Sequence, residues 1–311
     1  MPYFISCDWG TSSFRLRLVE TPSYTVLAEV VTTKGIAATY NEWLLQNSID
    51  RFDFFSSYLL EQINILEQQS NKSFKEYTIV ISGMASSAIG MMELPYKKIP
   101  FNISAVDLPI HEISPTSSFP YKVIIISGVC SDNDVIRGEE TIISGCETGK
   151  AEKQLFILPG THSKHILTEN GVLTNFKTFM TGEVFELLSN KSILTNSIER
   201  SDDIDLHFFK KGLNEALNSS FLNNIFHIRT NTIIKNLDKK SNYAFLSGLV
   251  IGEELKEIKQ LDVEKLVIVS SGNLLELYSK AATIFSSKNI ICLNADEALI
   301  KGQAEIFRHY Q

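Results

Sequence analysis

Residues 3–9, 14–20 and 25–32 read as three short strands in a meander, most plainly at Phe14-Arg15-Leu16-Arg17-Leu18, where apolar and polar positions alternate with a period of two. Residues 41–69 are apolar at helical spacing and rich in Gln, Glu and Asn, which predicts one long helix. Unbroken apolar runs predict buried strands at 77–82, ending at Gly83-Met84, and at 122–127, ending at Gly128. A helix is expected over 138–147.

The pattern then restarts. Leu155-Phe156-Ile157-Leu158 reads as a strand stopped by Pro159-Gly160. Residues 162–168 and 172–178 read as a hairpin about Glu169-Asn170-Gly171, because Asn-Gly supplies the positive φ angles of a tight turn. Helices are expected at about 182–190, 203–217 and 242–258. Strand 265–270 leads through Ser271-Gly272-Asn273 into helix 274–285, and strand 289–293 leads into a last helix, 295–308. The chain therefore reads as two successive α/β units, each opening with a strand, a Gly/Thr turn and a second strand. The least apolar stretch between them, Gly149-Lys150-Ala151-Glu152-Lys153-Gln154, is the expected joint, with Gly149 suited to a left-handed helix cap.

The 311 residues are 44% apolar and 21% charged, as in a soluble globular protein. A net charge of −7 argues against a nucleic-acid or membrane-surface partner, since both usually require a basic face. No basic segment precedes an apolar one at the start, and no apolar run approaches the ~20 residues of a membrane helix. Cys7, Cys130, Cys146 and Cys292 are scattered, with no C-x-x-C pair, and read as small buried hydrophobes of a reducing compartment. A cytoplasmic protein is expected.

Five segments carry candidate chemistry. Asp8-Trp9-Gly10-Thr11-Ser12-Ser13 ends a strand with an acid, a glycine and hydroxyls: backbone N–H groups for a phosphate and a carboxylate for its Mg²⁺. An ordinary polar hairpin tip has the same composition. Pro159-Gly160-Thr161-His162-Ser163-Lys164 repeats the combination, and two such turns suit a phosphate chain held by two units. Residues 131–141 form the densest polar cluster, offering Asp134, Glu139 and Glu140 as proton acceptors and Arg137 for an anion. Ser82–Gly90, containing Met84 and Ser86, is a small-residue loop that a ligand can approach closely. Ser270-Ser271-Gly272-Asn273 opens a helix and suits a nucleotide. His162 and His165, three apart on an expected strand, point to opposite faces and do not form a metal pair.

In order along the chain these segments resemble the 2-dehydro-3-deoxygalactonokinase (2-keto-3-deoxygalactonate kinase) family. The matching stretches are Asp8-Trp9-Gly10-Thr11 with Arg15, Ser82-Gly83-Met84 to Gly90, and Pro95-Tyr96. They continue with Asp134–Thr141, Leu158–Lys164, Phe179-Met180-Thr181-Gly182-Glu183 and Phe245–Gly252. Arg137-Gly138-Glu139-Glu140-Thr141 and Pro159–Lys164 are the most specific. The chain departs from the family pattern at Ala88, where Arg is usual, and at Met91, where Trp is usual. It departs also at Ile142, where Gln is common, and at Ser127, where Pro is often found. Ala88 and Met91 fall beside the expected sugar pocket.

The resemblance implies a two-domain actin-like (ribonuclease H-like) α/β fold with an interdomain cleft. Its domains would be 1–150 and 151–295, with the helix at 296–311 returning to the first. It implies transfer of the ATP γ-phosphoryl group to the 6-hydroxyl of 2-dehydro-3-deoxy-D-galactonate, with ATP and Mg²⁺ as cofactors, in galactonate breakdown. On this reading Asp8 organises Mg²⁺, and Gly10, Thr11, Ser12, Gly160, Thr161, His162, Ser271 and Gly272 hold the nucleotide. Arg137, Met84, Ser86 and Lys164 meet the sugar acid. The residues alone leave Asp134 and Glu139 open as the general base, and the resemblance points to Glu139. Two alternatives stand beside this one: a kinase of the same fold for another sugar, and a non-catalytic nucleotide- or sugar-acid-binding regulator. A homodimer is compatible with either, and neither nucleic acid nor membrane is expected as a partner.

Overall fold

The computed structural model describes residues 2–46, 48–104, 108–149 and 153–310, which form two compact units. The first comprises Met1–Ala151, Glu169–Asn175 and Ala295–Gln311, and the second Glu152–Thr168 and Phe176–Asn294.

In the first unit β1 (Tyr3–Trp9), β2 (Phe14–Glu20) and β3 (Thr25–Thr32) form an antiparallel meander at the expected bounds. The single helix expected over 41–69 is instead two, α1 (Ile36–Leu44) and α2 (Arg51–Ser70). The second starts afresh because the Asp50 carboxylate caps it, accepting the Phe52 N–H at 2.8 Å. Next come β4 (Ile79–Gly83), the short β5 (Lys97–Lys98) and β6 (Phe101–Asn102), then β7 (Ile110–Ile113) and β8 (Val123–Ile126). The hairpin β9 (Val129–Cys130)–β10 (Val135–Ile136) leads into α3 (Glu139–Ser144), which Gly145 ends earlier than periodicity suggests. Gly149 has a left-handed backbone (φ 82) but lies past that cap, and residues 150–152 of the expected joint lie outside the described residues.

The main sheet runs β3-β2-β1-β4-β8-β7, with β1, β4 and β8 parallel. Its two faces follow from the strand period. Ile5, Cys7 and Trp9 share one face and pack with Phe55, Leu59, Ile63 and Leu66 of α2, spaced to form one apolar stripe. Phe4, Ser6 and Asp8 share the other.

The second unit repeats the plan. β11 (Gln154–Leu158) pairs antiparallel with β12 (Ser163–Glu169). Asn170 and Gly171, both at positive φ (53 and 75), then turn the chain into β13 (Val172–Phe179), whose first residues pair with β6 inside the first unit. Helices α4 (Thr181–Lys191), α5 (Leu206–Asn218), α6 (Phe221–Lys235) and α7 (Lys239–Leu255) follow. Then come β14 (Lys265–Ser270), α8 (Gly272–Phe285) and β15 (Asn289–Asn294). Helix α6 was not anticipated from periodicity. The strand order β13-β12-β11-β14-β15, with β11, β14 and β15 parallel, has the same connectivity as β3-β2-β1-β4-β8. The reading of all four cysteines as buried needs correction: Cys7 and Cys146 are buried, but Cys130 is half-buried and Cys292 is exposed because β15 is an edge strand.

The last helix, α9 (Ala295–His309), belongs to the first unit and covers the Phe4–Asp8 face of its sheet. Phe307, 3% exposed, stacks on Phe4 with ring centroids 5.5 Å apart. Gln303 Nε2 donates to the Cys7 carbonyl and to Ser82 Oγ, each at 2.9 Å. Asp296 Oδ1 accepts from Arg15 at 3.0 Å and Arg17 at 2.7 Å. Among the described residues no helix is long and apolar enough to cross a membrane. Phe307→Ala is expected to destabilise the first unit by about 3–5 kcal/mol, read as a lower midpoint in chemical denaturation.

Candidate active site

Two turns of the same construction stand out, one per unit. Between β1 and β2, the N–H groups of Ile36 and Ala37 at the start of α1 donate to the carbonyls of Gly10 (2.9 Å) and Thr11 (3.1 Å). Gly35 makes this possible, since a Cβ there would lie 2.4 Å from the Thr11 carbonyl oxygen. Between β11 and β12, the Glu183 N–H at the start of α4 donates to the Thr161 carbonyl at 3.0 Å. A Cβ on Gly182 would lie 2.6 Å from the Gly160 oxygen. Each helix thus engages turn carbonyls, while Thr11, Ser12 and Thr161 remain exposed. Their N–H groups have no hydrogen-bond partner among the described residues. Such N–H groups form an anion-binding concavity.

Asp8 stands half-buried at the mouth of the first turn, where Arg15 Nη1 lies 3.5 Å from its Oδ2. Burial pushes the Asp8 carboxyl above its usual value; Arg15 and Arg17 oppose this, and the charges of Asp296 and Glu139 reinforce it. Glu139 therefore shares the electrostatic neighbourhood of Asp8. Its Oε2 accepts the Arg137 N–H at 2.8 Å. Asp134 sits apart in the turn of the β9–β10 hairpin, where its Oδ1 accepts the Val135 N–H at 2.7 Å and its N–H donates to Ser131 Oγ at 2.9 Å.

The Arg137 guanidinium is clamped on one edge. Its Nη1 donates to the Ser86 carbonyl at 2.6 Å and Ser86 Oγ at 2.5 Å, and its Cζ lies 4.1 Å from the Tyr96 ring centroid. Its Nε is buried without a hydrogen-bond partner among the described residues. Ser86 is fully buried, and its hydroxyl also donates to the Ile126 carbonyl at 2.7 Å. Met84, beside it, is half-buried. Glu140 is buried and turns back on its own helix start, accepting the Gly138 N–H on both oxygens (2.9 and 2.8 Å) and the Thr141 hydroxyl at 3.0 Å.

In the second unit a cavity of about 830 Å³ opens beside the turn. Gly160, Thr161, Gly182, Tyr243, Asn273 and Leu274 are among its lining residues. Ser271 and Gly272 are exposed at the adjoining start of α8 and are not part of that lining. His162 is exposed, with Nε2 2.6 Å from Glu183 Oε2. Lys164 is 6% exposed, and its ammonium donates to the His162 carbonyl at 2.6 Å, beneath the turn. Sequence reasoning missed Asp296, Gln303 and the buried Glu254. Glu254 accepts hydrogen bonds from Ser163 and His165 on one oxygen and from Thr181 and Tyr278 on the other.

Among the described residues no three His, Cys, Asp or Glu side chains gather into a metal site. Mg²⁺ is commonly held by one or two carboxylates, waters and substrate phosphates. Asp8 beside a hydroxyl turn supplies such a donor set.

The sequence model of 2-keto-3-deoxy-galactonokinase matches residues 8–306. The chain belongs to that family. It is 28% identical over 210 residues to 2-dehydro-3-deoxygalactonokinase of Escherichia coli (strain K12), covering 65% of this chain and 69% of that one. It is 26% identical over 311 residues to DgoK1 of Rhizobium meliloti (strain 1021), named a probable 2-dehydro-3-deoxygalactonokinase, covering 96% and 95% of the two chains. The crystal structure of a Sinorhizobium meliloti protein given a like description superposes with a TM-score of 0.82 at 26% identity, over 98% of this chain and 96% of that one. The fold is the two-domain actin-like α/β fold of these sugar kinases. Of the departures from the family pattern, Ala88 is exposed and its carbonyl accepts Arg51 Nη1 at 2.7 Å, whereas Met91 is buried in the α2 core.

Burial, and then the charge of Glu139, push the Glu140 carboxyl from an ordinary 4.5 up to about 7, against the hydrogen bonds it accepts. The folded chain therefore holds this proton more tightly than the unfolded one. The stabilisation is fully present below the unfolded value and is lost as pH rises through about 7. Glu140→Gln is expected to flatten the fall in melting temperature between about pH 5 and 7.5; an unchanged slope would contradict the assignment.

Proposed function

We propose that the chain transfers the γ-phosphoryl group of ATP to the 6-hydroxyl of 2-dehydro-3-deoxy-D-galactonate. Membership of the family, over residues 8–306, is the observation that carries this reading. The paired turns agree with it, because phosphoryl transfer needs positioning and charge neutralisation more than covalent chemistry.

In this reading the cavity of the second unit receives the nucleotide, and the N–H groups of Gly160, Thr161 and His162 meet its phosphates. About 830 Å³ is within the usual range for a small-molecule pocket. Thr11 and Ser12 offer the equivalent N–H groups and hydroxyls in the first unit, whereas the Gly10 N–H is taken up by the Ser13 carbonyl at 2.9 Å and closes the turn. Asp8 holds Mg²⁺, which neutralises phosphate charge when bound.

Glu139 accepts the proton of the substrate hydroxyl. Its electrostatic coupling to Asp8 favours it over Asp134, whose carboxylate belongs to a hairpin turn. Glu140 is engaged by its own helix start and serves structure. Arg137 pairs with the sugar-acid carboxylate. Ser86 holds the Nη1 edge of the guanidinium and Tyr96 lies against its face, leaving Nε and Nη2 for a bidentate anion.

The test is phosphoryl transfer by the purified chain with Mg-ATP across a panel of 2-keto-3-deoxy hexonates and pentonates, with ³¹P NMR reporting the product. A phosphomonoester at C6 is expected; ADP release without transfer to any sugar acid would contradict the reading. Glu139→Gln should lower kcat by about 10²–10⁴-fold with little change in nucleotide affinity. If Asp134→Asn does so instead, the base is Asp134. Arg137→Lys should raise KM for the sugar acid about tenfold or more, leaving KM for ATP nearly unchanged, because a lysine cannot present the planar fork.

A further inference from the structure

Glu254 is 3% exposed, and nothing in the transfer chemistry above uses it. Removing a carboxylate from water costs several kcal/mol unless its oxygens are fully hydrogen-bonded. Here they are. Ser163 Oγ at 2.7 Å and His165 Nε2 at 2.9 Å meet Oε1, while Tyr278 OH at 2.6 Å and Thr181 Oγ1 meet Oε2. Burial raises the Glu254 carboxyl, but the hydrogen bond and charge of His165, with the hydroxyls of Thr181 and Tyr278, outweigh it and hold the group below its usual value. Burial, then the Glu254 charge, push the Tyr278 phenol well up, so it stays a donor.

The four donors come from three elements around one cavity: β12, α4 and α8. Ser163 directly follows Gly160-Thr161-His162 and opens β12, which also carries His165. Thr181 opens α4, immediately before the Gly182 that lies against the turn. Tyr278 belongs to α8, whose first turn supplies Asn273 and Leu274 to the lining. Thr181 and Tyr278 line the cavity themselves. A buried ion pair is often no more stabilising than apolar side chains of the same volume, so overall stability is a weak reason for a carboxylate here. A directional acceptor that fixes three elements in one geometry is a stronger one.

We propose that Glu254 is the positioning residue of the nucleotide site: through Ser163, His165, Thr181 and Tyr278 it fixes the 160–162 turn, the start of α4 and α8 in the arrangement that receives the ATP phosphates. The proposal rests on the reading that the second-unit cavity takes ATP. It separates nucleotide from sugar acid, because every donor to Glu254 lies in the second unit.

The test is calorimetric titration of the full chain with Mg²⁺ and the non-hydrolysable analogue AMPPNP, paired with steady-state KM values for ATP and for the sugar acid. Glu254→Gln leaves one amide oxygen to serve four donors and should weaken AMPPNP binding about tenfold or more, with the sugar-acid KM within about twofold. Thr181→Val removes one donor at nearly constant volume and should weaken AMPPNP binding about fivefold, whereas Thr181→Ser should restore it. If Glu254→Gln does not fold, the Thr181 pair decides the matter. Variants that bind AMPPNP as the wild type does, or that shift both KM values equally, would overturn the positioning role. A wild type that binds no AMPPNP would instead overturn the assignment of ATP to this cavity, and the positioning role with it.

Discussion

The constraint on which this molecule depends is the closure of two hydroxyl-bearing turns by the helices that follow their meanders. A turn with unoccupied carbonyls and N–H groups would be as well served by water as by a ligand. Here α1 and α4 engage turn carbonyls, and only glycine at 35 and 182 lets those helices come close enough. The N–H groups of Thr11, Ser12 and Thr161, left without a partner among the described residues, are the donors proposed to meet an anion. The shared connectivity of the two sheets explains why the device occurs twice: each meander ends where a helix must cross back over its first turn.

Around the first turn, acids and cations are balanced by placement. Strand period puts Asp8, Arg15 and Arg17 on one face, and α9 lays Asp296 across both arginines. Arg17 is nearly buried between Asp296 and Glu29, so this face carries compensated charge before any phosphate binds. The same helix reaches the β1 backbone through Gln303, coupling the acid at the mouth of the turn to a helix some 290 residues away in sequence. In the second unit the balance is local and buried, with one carboxylate collecting four donors.

Much of this was legible because it is periodic or compositional. The three opening strands and β14 have the bounds their apolar patterns predict, and both turns declare themselves by glycine and hydroxyls. Helix α6 was not legible: Asn223, Asn224, Thr230, Thr232, Ile233 and Ile234 are poor helix formers, and Leu222, Phe226, Ile233 and Ile234 are exposed, which blurs the apolar face. The break between α1 and α2 rests on one capping aspartate inside an otherwise helical pattern. Glu254 and Asp296 read as ordinary surface acids in Gly-Glu-Glu-Leu and Ala-Asp-Glu-Ala. Their partners lie 24 to 91 and 279 to 281 residues away, a relation that no local pattern encodes.

The central claim is that backbone N–H groups of the two turns are phosphate ligands. Amide-resolved NMR of the glycine- and threonine-labelled chain tests it directly, with Mg²⁺ and AMPPNP compared against Mg²⁺ and adenosine. Phosphate ligation requires that the amides of Gly160, Thr161 and Thr11 shift with AMPPNP and stay near their free positions with adenosine. Equal shifts with both ligands, or AMPPNP shifts confined to residues outside the two turns, would contradict it.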